Sequence, residues 1–219
     1  MRFSNLAAIG AIAAAIGGFV AINALAQGET SGEMSFFVTS VGLGDGANLG
    51  GLEGADAHCQ ALAMAAGAGD QNWLAYLSTL DTSDAEGVDA RDRLGEGPWF
   101  NADGVLIAND LAQLHSDEAN ITLATGLTEV GGAVNGRGQT PLQHDILTGT
   151  RQDGRAVNGT CANWTSNNDA DFTYVGHHDL VGNSAGINYW NYSHRTAGCS
   201  QEALVRTGGA GYFYCFAAD

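Results

Sequence analysis

The sequence contains no lysine, and its eight basic residues are all arginine. They are opposed by 24 acidic residues, which gives the chain a formal net charge of −16. A surface with so little positive charge repels polyanions. The composition therefore argues against binding to nucleic acid, to heparin-like polymers or to anionic membranes.

Other absences remove further classes of function. None of the four cysteines belongs to a CxxC pair, which excludes a zinc ribbon. The glycine-rich segment 41–51 has neither GxGxxG spacing nor a following GK[ST], which argues against a phosphate-binding loop. We therefore interpret segment 41–51 as a flexible connection.

One long apolar run is present, over residues 6–26. Arg2 precedes it, and it closes on the small residues Ala24 and Ala26 around Leu25. This pattern predicts a secretory signal peptide, residues 1–26, cleaved before Gln27. Because about 20 apolar residues can cross a bilayer, an uncleaved membrane anchor is the alternative.

Cleavage would leave a polar tether, residues 27–34, and one domain, residues 35–219. This part carries seven basic and 24 acidic residues, a net charge of −17. Export to the periplasm, the outer surface or the medium favours disulfides, and an even number of cysteines predicts two of them. The residues alone leave three pairings open.

Two segments carry the clearest periodicity. The aromatic run Tyr212–Phe216 follows a glycine cluster and predicts a buried, central closing strand. Apolar residues at helical spacing predict a helix over Leu52–Ala66. Cys59 lies on the apolar face of that helix, where it can meet a core cysteine such as Cys215.

The remaining predicted elements are short. Alternation, turn residues and capping patterns predict strands at 35–40 and 73–79, an acidic helical segment at 83–94, a hairpin at 99–107 and a helical turn at 110–115. Residues 120–160 show no clear period, which is typical of functional or ordered loops.

Several motifs together resemble one family, the bacterial endostatin-like domains typified by the leptospiral endostatin-like surface proteins. The resemblance covers about residues 35–219. The motifs are GADAHCQALA (54–63), WLAYLST (73–79), ARDRLGEGPWFNADG (90–104), HDILTG (144–149), CANWTS (161–166), VGHHD (175–179), WNYSH (190–194) and GCSQEAL with TGGAGYFYCFA (198–217).

The resemblance implies an α+β domain with the endostatin-type variant of the C-type lectin-like fold: a twisted, mostly antiparallel sheet, a few helices and long loops. It also implies the nested disulfides Cys59–Cys215 and Cys161–Cys199. The family's other properties do not carry over. The chain has no Glu-Pro-Asn or Gln-Pro-Asp triplet of sugar-binding lectins, and no histidine at the mature N-terminus to form the zinc site of animal endostatin.

Aromatic rings beside amide groups suit the recognition of a sugar or a peptide. Such residues gather late in the chain. The candidate ligand-binding residues are Asn163, Trp164, Tyr189, Trp190, Asn191 and His194. Core packing is the alternative interpretation of this set.

Two metal sites are also candidates. His144, His177 and His194, with Asp179, would bind zinc if the fold brings them together. Alternation along a strand allows only one of His177 and His178 to face a common site, and Asp179 would share the face of His177. The oxygen-rich loop with Asp169 and Asp171 suits calcium.

The leading hypothesis is a secreted or cell-surface binding module of lectin-like fold, not an enzyme. It would recognise an extracellular carbohydrate or protein ligand through the loops of residues 120–195. A metal-dependent enzyme that uses the histidines is the first alternative. A non-catalytic structural protein of the envelope is the second.

Overall fold

The computed structural model describes Met1 and residues 32–181 and 189–218. The predicted signal peptide and most of the tether lie outside the described residues. Within the described ranges, no helix has the length and apolar character needed to cross a bilayer.

The protein has an α+β fold with a mostly antiparallel sheet. The strands are β1 (Phe36–Val38), β2 (Asn72–Ala75), β3 (Trp99–Phe100), β4 (Leu106–Ala108), β5 (Asp145–Leu147), β6 (Tyr174–His177), β7 (His194–Arg195) and β8 (Gly209–Ala218). The helices are α1 (Gly51–Ala65), α2 (Leu111–Leu114), α3 (Cys161–Trp164) and α4 (Gln201–Thr207), and a 3₁₀ turn covers Ala90–Arg93.

The closing strand β8 is central, as its aromatic run predicts. The main sheet has the order β1-β8-β5-β6-β7, and β2 also pairs with β8. β1 and β2 run antiparallel to the second half of β8, whereas β5 runs parallel to its first half. β3 and β4 form a separate hairpin at the predicted position.

Alternation along β8 divides the core into two layers. On one side, Phe213 and Cys215 pack with the buried face of α1. On the other side, Tyr214 and Phe216 pack with Phe36 and several further aromatic side chains. The sheet is thus buried on both faces over the length of its aromatic run.

Helix α1 confirms the predicted apolar stripe, with Ala55, Cys59 and Ala63 buried. It ends at Ala65, just before Gly67, whose left-handed backbone (φ 84°) favours glycine. Cys59 forms a disulfide with Cys215, the pairing that the family resemblance implies. This disulfide joins the helix to the central strand.

The second disulfide, Cys161–Cys199, closes a loop over a sequence separation of 38. Cys161 is the first residue of the short segment α3, and all four residues of this segment have positive φ, from 50° to 67°. Such left-handed backbone costs about 1–2 kcal/mol per residue. Hydrogen bonds hold the segment: Asn163 bonds to both backbone groups of Leu80, and the Trp164 indole donates to Ser78 O.

Three predicted details differ from the structure. The acidic helical segment 83–94 is wrong beyond the 3₁₀ turn, because Thr79 and Val88 exchange two backbone hydrogen bonds and close the residues between them into a loop. Strand 73–79 stops pairing with β8 at Ala75. The irregular region 120–160 contains β5, which was not predicted.

Candidate functional site

Strand register gathers four polar residues at the ends of β5, β6 and β7. Asp145 lies opposite His177, and His194 lies opposite Val175, two residues from His177 on the same face of the sheet. His144 immediately precedes β5. We call His144, Asp145, His177 and His194 the histidine cluster.

The cluster is centred on one carboxylate oxygen. Asp145 Oδ1 lies 3.2 Å from His144 Nε2, 3.1 Å from His177 Nε2 and 3.4 Å from His194 Nε2. The Nε2 atoms of His177 and His194 are 3.1 Å apart. The imidazoles of His144 and His177 stack with their centroids 4.1 Å apart.

The opposite nitrogen of each ring faces an acceptor. His177 Nδ1 lies 2.8 Å from Val181 O, and His194 Nδ1 lies 3.1 Å from Arg195 O. His144 Nδ1 lies 3.2 Å from both carboxylate oxygens of Asp179. A proton on Nδ1 of each ring would satisfy these acceptors and leave Nε2 without one.

Most of the cluster is shielded from solvent. The side chains of Asp145 and His177 are each 1% exposed and that of His144 is 6% exposed, whereas His194 is 29% exposed. Although burial acts to raise it, the close contacts with the imidazoles of His177 and His194 hold the pKa of Asp145 below its ordinary value. The same contact with Asp145 raises the pKa of His194, against the effect of burial.

Asp179 lies behind His144 rather than beside the Nε2 atoms. Its Oδ2 accepts the backbone N–H of Arg137 at 2.6 Å, and its Oδ1 accepts that of Val181 at 3.1 Å. Although burial acts to raise it, these bonds and the one from His144 hold the pKa of Asp179 well below its usual range. Asp179 therefore orients a histidine, and the structure places Asp145 at the position where the sequence suggested Asp179.

His178 points away from the cluster, in line with strand alternation. It is buried, and neither ring nitrogen has a hydrogen-bond partner among the described residues. Burial lowers the pKa of His178 to about 4. The ring is therefore a neutral part of the packing at neutral pH.

The predicted ligand-binding residues are not brought together on the surface. Trp164 and Trp190 are buried, and the Trp190 indole donates to Leu114 O at 2.9 Å. Asn191 is also buried, where its amide donates to Tyr76 Oη and to two loop carbonyls. These three side chains pack the core and hold loops, and Asn163 braces the left-handed segment.

Tyr189, by contrast, is half-exposed at the edge of an open depression of about 600 Å³. Tyr192 lies beside it and stacks on Tyr174 with the ring centroids 5.6 Å apart. We call this depression the tyrosine groove. Its lining residues are His115, Arg151, Gln152, Asp153, Tyr189 and Tyr192.

Of the groove residues, only the two tyrosines lie in the aromatic segment that the sequence singled out, and Tyr189 belongs to the predicted ligand-binding set. Arg151, Gln152 and Asp153 come from the loop that follows β5, and His115 comes from the end of α2. Only segment 189–192 has the aromatic residues that indicate a binding site. The other groove residues are distant in sequence and lie beside this segment only in the folded protein.

The proposed calcium ligands face separate partners. Asp169 Oδ1 accepts the backbone N–H of Ser200 at 3.2 Å, whereas Asp171 Oδ2 accepts the hydroxyl of Ser166 at 2.5 Å. The hydrogen bonds to Ser200 lower the pKa of Asp169. Asp169 thus fastens the loop after α3 to the start of α4, whereas Asp171 closes that loop on itself.

No protein-family model matches this sequence, and no curated protein matches it significantly. The structure itself defines the broad class, an α+β protein with a mostly antiparallel sheet and two disulfides.

Proposed function

We propose that the chain is an exported binding module of C-type lectin-like, endostatin-type fold that takes a carbohydrate in the tyrosine groove. The observation that carries this proposal is a set of polar groups without partners on one concave surface. Among the described residues, the hydroxyls of Tyr189 and Tyr192 and the side chains of Arg151 and Gln152 make no hydrogen bond or ion pair, and all four line the groove.

The finer fold and the family are supported by the motifs and by the nested disulfides. A mostly antiparallel sheet with a few helices and the nested disulfides Cys59–Cys215 and Cys161–Cys199 are features that the resemblance implies. Two disulfides, with no cysteine left free, suit an oxidising compartment outside the cytoplasm.

A carbohydrate suits the groove better than a protein partner. A volume of about 600 Å³ falls in the range of small-ligand sites, about 300–1,000 Å³. A stable protein interface would instead cover about 800 Å² on each partner. The two half-exposed tyrosines offer ring faces to a sugar, and the guanidinium and amide offer donors to its hydroxyls.

An array of neutral and acidic glycans, probed with the labelled full mature chain, tests the proposal. We expect binding to at least one class of glycan, and a loss of about tenfold or more with Tyr192→Ala or Arg151→Ala, since each removes a contact worth about 1.4 kcal/mol. Tyr192→Phe keeps the ring and should bind better than Tyr192→Ala. Arg206→Ala, an exposed arginine on α4, is the matched control.

A folded chain that binds no glycan on the array would favour the alternative of a non-catalytic structural protein. Binding that is unchanged by Tyr192→Ala and Arg151→Ala would exclude the groove as its location.

A further inference from the structure

We propose that the histidine cluster binds one divalent transition-metal ion, Zn²⁺ by its chemistry, through the Nε2 atoms of His144, His177 and His194 and a carboxylate oxygen of Asp145. The site is structural, and none of its four residues lines the tyrosine groove. It fastens the ends of β5, β6 and β7 to one another.

The orientation of the rings is the first argument. The Nδ1 of each ring lies within hydrogen-bond distance of a carbonyl or carboxylate oxygen, so a neutral ring that donates from Nδ1 would present a lone pair at Nε2. All three Nε2 atoms converge on the same small region. Metal-binding histidines are typically fixed in this way, with one nitrogen on the ion and the other on a hydrogen-bond acceptor.

The carboxylate of Asp145 is the second argument. Both of its oxygens are buried, and neither receives a hydrogen bond with donor geometry, although three imidazole nitrogens lie nearby. A buried carboxylate is costly unless a positive charge or a set of donors compensates it. Three imidazole lone pairs do not compensate it, whereas a divalent cation among them would.

The dimensions of the cluster are the third argument. A tetrahedral zinc ion with bonds of about 2.0–2.1 Å holds neighbouring ligand atoms about 3.3–3.4 Å apart. Four separations in the cluster are already 3.1–3.4 Å. The group whose ligand atoms are all within 4.8 Å of one another comprises His144, Asp145 and His177 but not His194. Completing the four-ligand coordination would therefore require a movement of the His194 side chain, which is the most exposed of the four.

The donor set selects the class of metal. Imidazole nitrogens suit zinc, copper, nickel and iron, whereas calcium and magnesium require a shell of oxygens. Three imidazoles and one carboxylate in a tetrahedral arrangement are a ligand set typical of Zn²⁺.

Four protein ligands also leave no coordination position for water or substrate. Catalytic zinc sites keep such a position, and structural sites do not. The arrangement therefore argues for a metal that stabilises the fold, and against the metal-dependent enzyme considered from the sequence.

The rival account is a metal-free network in which one histidine is protonated. Two Nε2 lone pairs facing each other at 3.1 Å repel, and a proton on His177 or His194 would relieve that repulsion as a cation would. The two accounts differ in metal content and in whether chelation destabilises the protein.

Metal analysis of the full mature chain distinguishes them. We expect purified protein to contain about one zinc ion per chain, or metal-free protein to take up about one equivalent of added Zn²⁺. His177→Ala and Asp145→Asn should lower Zn²⁺ affinity more than Asp179→Asn, for which a loss of about 10–100-fold is typical of a residue behind a ligand. Co²⁺ in place of Zn²⁺ should give the absorption spectrum of a tetrahedral site.

His58→Ala is the matched control, because His58 lies on α1 away from the cluster. If Asp145→Asn does not fold, His194→Ala provides the test at the half-exposed ligand. Folded wild-type protein that binds no Zn²⁺ would overturn the proposal. So would Zn²⁺ uptake that persists in both His177→Ala and His194→Ala, because the acidic surface would then be the binding site.

Discussion

The two ends of the central sheet are stabilised by different kinds of side chain. At the aromatic end, where β1 and β2 pair with β8, Phe216 packs on Phe36 and Trp99 with ring centroids 4.9 and 5.6 Å away. At the polar end, formed by β5, β6 and β7, the buried side chains include Asp145 and His177. Apolar contacts need no specific partner, whereas each buried polar group does.

The two ends therefore contribute to the free energy of folding in different ways. Burial of apolar surface contributes in proportion to area and tolerates small displacements. A buried carboxylate is favourable only with a counter-charge or donors in place. We therefore expect the aromatic end to provide most of the free energy of folding. The stability of the polar end should depend on whether it binds the proposed metal ion.

The largest expected effect comes from the disulfide at the aromatic end. Replacing Cys59 and Cys215 together by alanine should lower the free energy of unfolding by about 5 kcal/mol, because the bond closes a loop over a separation of 156. The paired replacement of Cys161 and Cys199, over a separation of 38, should cost about 4 kcal/mol. Urea unfolding measures both, and equal losses would contradict the dependence on loop length.

Removal of one aromatic ring should be nearly as costly. Phe216→Ala leaves a cavity between Phe36 and Trp99, and we expect a loss of about 3–5 kcal/mol in the free energy of unfolding. Val205→Ala, at an exposed apolar position on α4, is the control and should change stability little. A loss below about 1 kcal/mol for Phe216→Ala would show that the aromatic end can repack.

The polar end should respond to metal instead. Free Zn²⁺ at about 100 times its dissociation constant should add about 2.7 kcal/mol to the free energy of unfolding, which raises Tm by about 5–10 °C. Thermal unfolding with and without a chelator measures this difference. The gain should disappear in His177→Ala and persist in Phe216→Ala, provided that both variants fold.

The same contrast explains what the sequence could predict. Helix α1 and strand β8 were predictable because their apolar residues repeat at a fixed spacing, and Cys59 and Cys215 both lie on buried faces. β5 was not predictable, since three residues after His144 are too few to show a period. The polar end depends on the register among β5, β6 and β7, which no local pattern encodes.

The candidate site was predictable in part for the same reason. Alternation allowed only one of His177 and His178 to face a common site, because that rule acts within one strand. Asp145 follows His144 in the sequence, but its position at the centre of three histidines depends on pairing across strands. Trp164 and Trp190 illustrate the converse: an aromatic side chain looks the same in sequence whether it packs the core or lines a groove.

The smallest expected effect concerns His115, a titratable group next to the aromatic end. Its Nε2 lies 2.7 Å from the buried hydroxyl of Tyr76, and its Nδ1 donates to Leu111 O at 2.8 Å. Burial is the main cause that lowers the pKa of His115 from its ordinary value of 6.5. The folded state therefore favours the neutral ring, which can accept the Tyr76 proton.

The sign of the pH dependence follows from this shift. Below pH 6.5 the unfolded chain binds a proton at His115 more readily than the folded protein, so the free energy of unfolding falls as the pH decreases. His115→Gln should remove this contribution and give a shallower decline between pH 7 and pH 5, measured by urea unfolding at each pH. The same substitution at His58, on α1, is the control. An unchanged slope in His115→Gln would place the acid sensitivity at the polar end, where protons compete with the metal for the three imidazoles.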